Sequence, residues 1–207
     1  MTILSLSKAH ELAVRVLAAA GVTRDNAESV AKALVAAEAD GLASHGLSRL
    51  PAYADQAKAG KVDGKAAPQA TETAPGALMV DARDGFAFPA IALGVTKAKQ
   101  MVARTGVVGV GVTNSHHFGA AGYHVEPLAA SGLVAIAFGN SPAAIAPWGG
   151  ARALFGTNPI AFACPRAGKP PLVIDLSLSK VARGKIMVAA QKGEAIPADW
   201  ALDAAGR

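Results

Sequence analysis

A short polar segment between two helical patterns, Ser44-His45-Gly46 followed by Arg49, carries side chains that could handle an anionic substrate. Histidine exchanges protons near neutral pH, and the arginine guanidinium can hold a carboxylate through two parallel hydrogen bonds. Reduction of a 2-oxo acid needs both functions, because the new alkoxide takes up a proton and the carboxylate needs a fixed cation. If Arg49 lies in the first turn of a helix, free backbone N–H groups would add to this anion site. By residue type alone, a capped corner between two helices explains the segment more readily.

A second polar segment, Asn114 to Gly122, contains adjacent histidines between a predicted strand and a predicted helix. This is a common location for a ligand. Neighbouring side chains of an extended segment point to opposite faces, so His116 and His117 are unsuited to one metal ion. No carboxylate completes a metal-binding spacing either. We therefore expect no metal, one histidine facing a site and the other one packing or solvated.

The usual dinucleotide fingerprint is incomplete. Gly109 and Gly111 match the first two glycines of GxGxxG, but Asn114 replaces the third within continuous β-type sequence. This excludes a Rossmann phosphate loop. Three further segments at strand edges can be read as turns or as parts of a dinucleotide site, and their co-occurrence favours the second interpretation: Gly139-Asn140-Ser141-Pro142, Gly156-Thr157-Asn158-Pro159 and Asp175-Leu176-Ser177.

The pattern of elements predicts an α/β protein with an N-terminal helical part. Helices are expected over 9–20, from a Thr23 cap to about Gly41, and from a Ser48 cap to Gly60, with 61–76 as an extended connection. Further helices are predicted over 89–103, 120–130 and 180–191, and strands over 77–81, 107–113, 133–138, 159–164 and 172–175. We expect a helical substrate and dimerisation part (1–70) and a cofactor-binding α/β domain (71–207).

Composition narrows the function classes. Hydrophobic residues make up 52% of 207, which supports a packed core. The net charge is +5, but the 20 lysines and arginines are scattered and aromatics are only 5%, so we expect no nucleic-acid partner. No apolar run is long enough to span a membrane. The sequence favours a cytoplasmic protein and a small anionic substrate.

Seven motifs in one order resemble the malate/L-lactate dehydrogenase family, which is unrelated to the Rossmann-type enzymes and includes ureidoglycolate and sulfolactate dehydrogenases and piperideine-2-carboxylate/pyrroline-2-carboxylate reductases. The resemblance covers the whole chain. The motifs are Ser44-His45-Gly46 with Arg49, His117-Phe118-Gly119, Gly149-Gly150, Gly156-Thr157-Asn158-Pro159, Asp175-Leu176-Ser177, Arg183-Gly184-Lys185, and Ile196-Pro197 through Trp200 and Asp203.

The resemblance implies a homodimeric, NAD- or NADP-dependent 2-hydroxy-acid dehydrogenase with an unusual, non-Rossmann nicotinamide-binding mixed sheet flanked by helices. It implies an orienting hydroxyl at Ser44, a proton donor at either His45 or His117, and a carboxylate clamp at Arg49 with Tyr53. The implied cofactor residues are Phe118, Gly119, Ala120, Ala121, Ser141, Thr157, Asp175, Leu176 and Ser177.

Two alternatives stay open at the level of sequence. Piperideine-2-carboxylate reductases have an aspartate at the position that resembles Lys185, so the lysine favours a malate, lactate or sulfolactate type of substrate over a cyclic imino acid. Family members are longer, and residues 200–207 read as a loop that should continue. We therefore expect a chain truncated at its C-terminus, which leaves an inactive fragment as the other alternative.

Overall fold

The computed structural model describes residues 3–181 and 183–202, and its residues divide into two compact units, Met1–His124 and Val125–Arg207. The predicted change from helices to sheet near residue 70 falls inside the first unit. The division at residues 70 and 71 therefore concerns function and stays a prediction.

The first unit begins with helices α1 (Leu6–Ala19) and α2 (Arg24–Ala39), then a 3-10 turn (Leu47–Arg49) that runs into α3 (Leu50–Lys58). As predicted, Gly21 follows α1 with a positive φ of 85°, and Thr23 is the N-cap residue of α2. The predicted Ser48 cap is wrong: its hydroxyl donates to the carbonyl oxygen of Ala43, and Arg49 occupies the N-cap position of α3.

A mixed sheet follows in the same unit. Strands β1 (Gln69–Ala74) and β2 (Ala77–Asp81) are antiparallel, and β2 pairs in parallel with β3 (Gly109–Thr113). Helix α4 (Ala87–Thr105) joins β2 to β3 as the crossover of a βαβ unit. The prediction of an extended connection over 61–76 is wrong where β1 lies. This strand is mostly exposed, so its sequence lacks the apolar alternation that would identify a strand.

Two groups of buried side chains hold these elements together. In the first, Leu17, Val30 and Leu34 pack between α1 and α2, and Tyr53 and Phe86 belong to the same core. In the second, α4 covers the sheet through contacts around Val80. The Asn26 amide of α2 donates to the carbonyl oxygens of Gly64 and Ala66, both at 3.0 Å. The helices are thereby fixed to the segment that leads to the sheet.

In the second unit, strands β4 (Ala135–Phe138), β5 (Ile160–Arg166) and β6 (Lys169–Leu176) form an antiparallel sheet in that order. Helix α5 (Gly122–Ala129) precedes this sheet and α6 (Arg183–Lys192) follows it. All predicted helices and strands after residue 76 are present, with ends shifted by up to three residues. The α/β class is therefore confirmed. No helix within 3–181 and 183–202 is long and apolar enough to cross a membrane.

Candidate active site

The Ser44–His45 loop is built where α2 ends. Gly41 has a φ of 74°, and Leu42 N–H donates to the carbonyl oxygen of Ala37 at 2.8 Å, which turns the chain away from the helix. His45 N–H then donates to the carbonyl oxygen of Leu42 at 2.8 Å. The Ser44 hydroxyl lies 3.1 Å from His45 Nδ1, so it can orient the imidazole.

Arg49 is half-buried at the start of α3, directly beside this loop. Its Nε donates to the carbonyl oxygen of Ser44 at 2.6 Å, which fixes the plane of the guanidinium. Among the described residues neither Nη group of Arg49 has a partner, so two parallel donors remain for an anion. The backbone is less available than predicted, because the N–H groups of Leu47 and Arg49 donate to Glu38 and Gly46.

Tyr53 joins the helical part to the segment after β3. It is only 3% exposed, and its hydroxyl lies 2.6 Å from His117 Nδ1. The Gly119 N–H also points to Nδ1, at 3.3 Å. A backbone N–H can only donate, so Nδ1 carries a lone pair, the Tyr53 hydroxyl donates, and the proton of the neutral ring is on Nε2.

Electrostatics favour the neutral form of both partners. Burial lowers the pKa of His117 to about 4, and the positive charges of Arg49, His45 and His116 act in the same direction. His117 as a whole residue is nevertheless exposed to solvent, which moderates the effect of burial. Burial raises the pKa of Tyr53 far above its usual 10, against a smaller opposite effect of Arg49. Near pH 7, His117 therefore offers an uncharged Nε2–H donor.

His45 and His117 lie side by side. Their ring centroids are 6.0 Å apart and the planes are inclined by 21°, so one small ligand can reach both imidazoles. Arg49 acts electrostatically on both His117 and Tyr53. The structure thus brings together, within the first unit, all five residues that the sequence assigned to catalysis and substrate binding: Ser44, His45, Arg49, Tyr53 and His117.

His116 has the packing role expected of one of the two histidines. Its ring meets Tyr53 and Phe86 edge-on, at centroid distances of 5.1 and 5.6 Å. Its Nε2 lies 2.6 Å from Gln56 Oε1, whereas its buried Nδ1 has no hydrogen-bond partner among the described residues. Burial, and to a lesser extent Lys61, lowers the pKa of His116. His116 therefore packs against the Tyr53 ring, a contact that the sequence does not predict.

The cofactor candidates of the first unit follow His117. The Phe118 ring stacks near the His117 ring at 6.1 Å, and its carbonyl oxygen lies 2.7 Å from His124 Nε2. Gly119 has a φ of 71°, and an added Cβ would come within 3.0 Å of Phe88. Ala120 is half-buried and Ala121 is 2% exposed, so Ala121 can offer a ligand little more than its backbone.

The remaining candidates lie in the second unit, after β4, before β5 and at the end of β6. The Ser141 hydroxyl accepts the Thr157 N–H at 2.7 Å and lies 3.0 Å from Thr157 Oγ1. The Ser177 hydroxyl donates to the carbonyl oxygen of Thr157 at 3.2 Å. These bonds bring Ser141, Thr157 and Ser177 together and use much of their capacity for hydrogen bonding. Asp175 and Leu176 are exposed on β6.

Parts of two quoted motifs, the side chain of Arg183 and all of Asp203, lie outside the described residues.

Comparison with known proteins agrees with this geometry. The family model for malate/L-lactate dehydrogenase matches residues 4–207. The chain belongs to the malate/L-lactate dehydrogenase family. Among its relatives is the (2R)-3-sulfolactate dehydrogenase (NADP(+)) of Chromohalobacter salexigens, 59% identical over 204 residues, which are 99% of this chain and 61% of the relative. The Delta(1)-pyrroline-2-carboxylate/Delta(1)-piperideine-2-carboxylate reductase of Pseudomonas aeruginosa is 41% identical over 98% of this chain and 61% of the relative.

A solved structure of the malate/L-lactate dehydrogenase family supports the fold. The crystal structure of delta1-piperideine-2-carboxylate reductase from Pseudomonas syringae pvar. tomato matches with a TM-score of 0.91 and 38% identity, over 95% of this chain and 59% of that one. The chain therefore spans about 60% of the length of the relatives that it matches.

Proposed function

We propose that this chain carries the substrate-binding and proton-transfer residues of an NAD(P)-dependent oxidoreductase that interconverts a small 2-oxo acid and its 2-hydroxy acid. The observation that carries the proposal is the cluster of Arg49, His45 and His117 within one compact unit. Family membership supports it, as does the NADP-dependent sulfolactate dehydrogenase among the relatives.

Arg49 binds the substrate carboxylate in this proposal. Its Nε is held by the Ser44 carbonyl oxygen, so the guanidinium does not have to be ordered when the anion binds. For Tyr53 we propose a role other than the carboxylate clamp that the resemblance implied. Its hydroxyl donates to His117 Nδ1, and we assign it to orienting that ring.

We assign the two histidines different roles at the carbonyl oxygen of the substrate. His117, held neutral with its proton on Nε2, donates a hydrogen bond that polarises the carbonyl. A nicotinamide held by the cofactor residues would supply the hydride that reduces C2. As the C=O π electrons move to oxygen, His45 gives up a proton to form the 2-hydroxyl group, and in the oxidation it accepts that proton. Ser44 keeps the His45 ring in place.

We propose that the cofactor contacts are the nine residues predicted above, and that residues 71–207 are the cofactor-binding part. Gly119 lies two residues after His117, and its positive φ and its closeness to Phe88 favour glycine there, so this position can offer a ligand only backbone groups. The hydroxyl cluster around Thr157 gives weaker support, since Ser141 and Ser177 are already bonded within it.

The proposed substrate is of the sulfolactate, malate or lactate type, with NADP as the preferred cofactor. The test is a panel of sulfopyruvate, oxaloacetate, pyruvate and piperideine-2-carboxylate, followed at the nicotinamide absorbance with NADH and NADPH. We expect the fastest turnover with sulfopyruvate and NADPH, and its loss in His45→Ala. Turnover of none of the oxo acids, or unchanged turnover in His45→Ala, would contradict the proposal.

Reduction of a cyclic imino acid is the second candidate, favoured by the 41% identical reductase. The same panel separates the two functions, because this alternative requires piperideine-2-carboxylate to be reduced faster than every oxo acid.

We further propose a cytoplasmic homodimer in which residues 1–70 contribute to dimerisation. Apolar side chains at the start of the chain support this, since Ile3 and Leu6 are 93% and 55% exposed. Sedimentation of the wild-type chain and of Leu6→Ser should show a dimer that the substitution weakens. A wild-type monomer would contradict the dimer, and an unchanged dimer in Leu6→Ser would contradict its assignment to this surface.

A further inference from the structure

Glu38, near the end of α2, reaches across the candidate site's loop. Its exposed carboxylate accepts the Leu47 N–H at 3.0 Å, nine residues further along the chain. Leu47 is the first residue of the 3-10 turn that continues into α3. Bonds from a helix start to a carboxylate are charge-assisted and complement the helix dipole. Glu38 thus accepts a hydrogen bond at the start of this turn and helix, the capping role that the sequence predicts for Ser48.

Gly46 shows how closely the loop lies on α2. A Cβ at this position would overlap the Glu38 carboxylate and come within 3.2 Å of the Glu38 backbone. The close approach of Glu38 favours glycine at position 46, because any Cβ would have to displace the Glu38 carboxylate or backbone. This accounts for the last residue of the Ser44-His45-Gly46 motif.

The contact lies between two groups of site residues. Ser44 and His45 immediately precede it. The 3-10 turn that starts at Leu47 ends with Arg49, and α3, which follows directly, carries Tyr53. A carboxylate near the C-terminal end of α2 is unfavourable for the dipole of that helix. The location of Glu38 is therefore explained by what its carboxylate holds and not by the stability of α2.

We infer that Glu38 is a positioning residue: together with the missing side chain at Gly46, it sets the distance between the His45 loop and the Arg49 helix. This inference rests on the proposed function for its consequence in binding, although the contact itself can be tested without activity. Glu38 touches neither substrate nor cofactor in this account.

The test is a double-mutant cycle on the full chain with the variants Glu38→Ala, Gly46→Ala and both together. Glu38→Gln keeps an acceptor oxygen, and Glu11→Ala removes another exposed helical glutamate as a matched control. Amide hydrogen exchange at Leu47 and binding of oxamate, a pyruvate analogue that cannot be reduced, are measured for each variant.

In Glu38→Ala we expect Leu47 to exchange about tenfold faster and oxamate to bind about tenfold more weakly. Glu38→Gln should lie closer to wild type, and Glu11→Ala should match it. Gly46→Ala should weaken binding strongly in the wild-type background and much less in Glu38→Ala, where the methyl group replaces the absent carboxylate.

Unchanged Leu47 exchange in Glu38→Ala, or strictly additive effects of the two substitutions, would overturn the inference. If the wild-type chain does not bind oxamate, the proposed function fails while the contact is still judged, by Leu47 exchange and by whether the His45 and Arg49 side-chain NMR signals shift in Glu38→Ala. Signals that stay in place would overturn the positioning role.

Discussion

His117 accepts hydrogen bonds at Nδ1 from Tyr53 and Gly119, which leaves Nε2 as the protonated nitrogen of a neutral ring. The sequence could show that a histidine follows β3, but not that a tyrosine 64 residues away holds it. Residue types and local spacing identified Ser44, His45 and Arg49 as candidates. The Tyr53–His117 bond depends on tertiary packing around Phe86, which no local pattern encodes.

Replacing Tyr53 by phenylalanine tests whether it orients His117 or binds the carboxylate. The variant removes the stronger of two donors to Nδ1, so we expect mixed His117 tautomers in ¹⁵N NMR spectra and kcat lowered about tenfold, with KM nearly unchanged. If Tyr53 binds the carboxylate instead, KM would rise while the tautomer stayed fixed. Arg49→Ala provides the comparison, since it should mainly raise KM.

Acid should destabilise the chain partly through His117. Its pKa falls from the usual 6.5 to about 4 on folding, because burial and nearby cations disfavour the charged ring. The unfolded chain therefore binds more protons between these values, and the contribution of His117 to stability is complete above pH 6.5 and lost as the pH falls towards 4. Over this range, the free energy of unfolding should fall less steeply in His117→Gln than in wild type. Parallel slopes would contradict the depressed pKa.

Among the elements, those with a buried face were predictable and those without one were not. β2 alternates buried and exposed side chains, and the sequence predicts it with its observed ends, Ala77–Asp81. β1 is an exposed strand at the edge of the sheet, and there the sequence predicts only a connection. The sequence predicts a cap at Ser48 and does not reveal Glu38, because the residue that accepts the Leu47 N–H at the start of the 3-10 turn belongs to the preceding helix.

The packing of α2 against α1 should carry much of the first unit's stability. Leu34 is fully buried in this contact, so Leu34→Ala should lower the free energy of unfolding by about 2–5 kcal/mol in urea titrations. Replacing Val107, which is 77% exposed and lies outside residues 1–70, by alanine should cost less than about 1 kcal/mol. Equal losses at the two positions would contradict the assignment of Leu34 to the core.

At the scale of the whole chain, one face of the second sheet is apolar and partly open. The strand register places eight side chains on it: Ile136, Phe138, Ile160, Phe162, Cys164, Leu172, Ile174 and Leu176. The sequence predicted these strands but not this exposure, because an apolar strand pattern is the same whether or not another layer covers it.

The open face should bind an apolar fluorescent dye. Phe138 is 76% exposed on it, so Phe138→Ser should reduce dye fluorescence, whereas Leu154→Ser, at a 64% exposed position outside the sheet, should reduce it less. Equal reductions would contradict a contiguous apolar surface on the sheet.

The central claim is that Arg49, His45 and His117 form one site for a 2-oxo acid, and titration of oxamate into ¹⁵N-labelled chain tests it without requiring turnover. The account predicts saturable shifts of the Arg49 Nε–H and of both imidazole signals with a single dissociation constant, and their loss in Arg49→Ala. Shifts that miss these side chains, or equal affinity in Arg49→Ala, would contradict it.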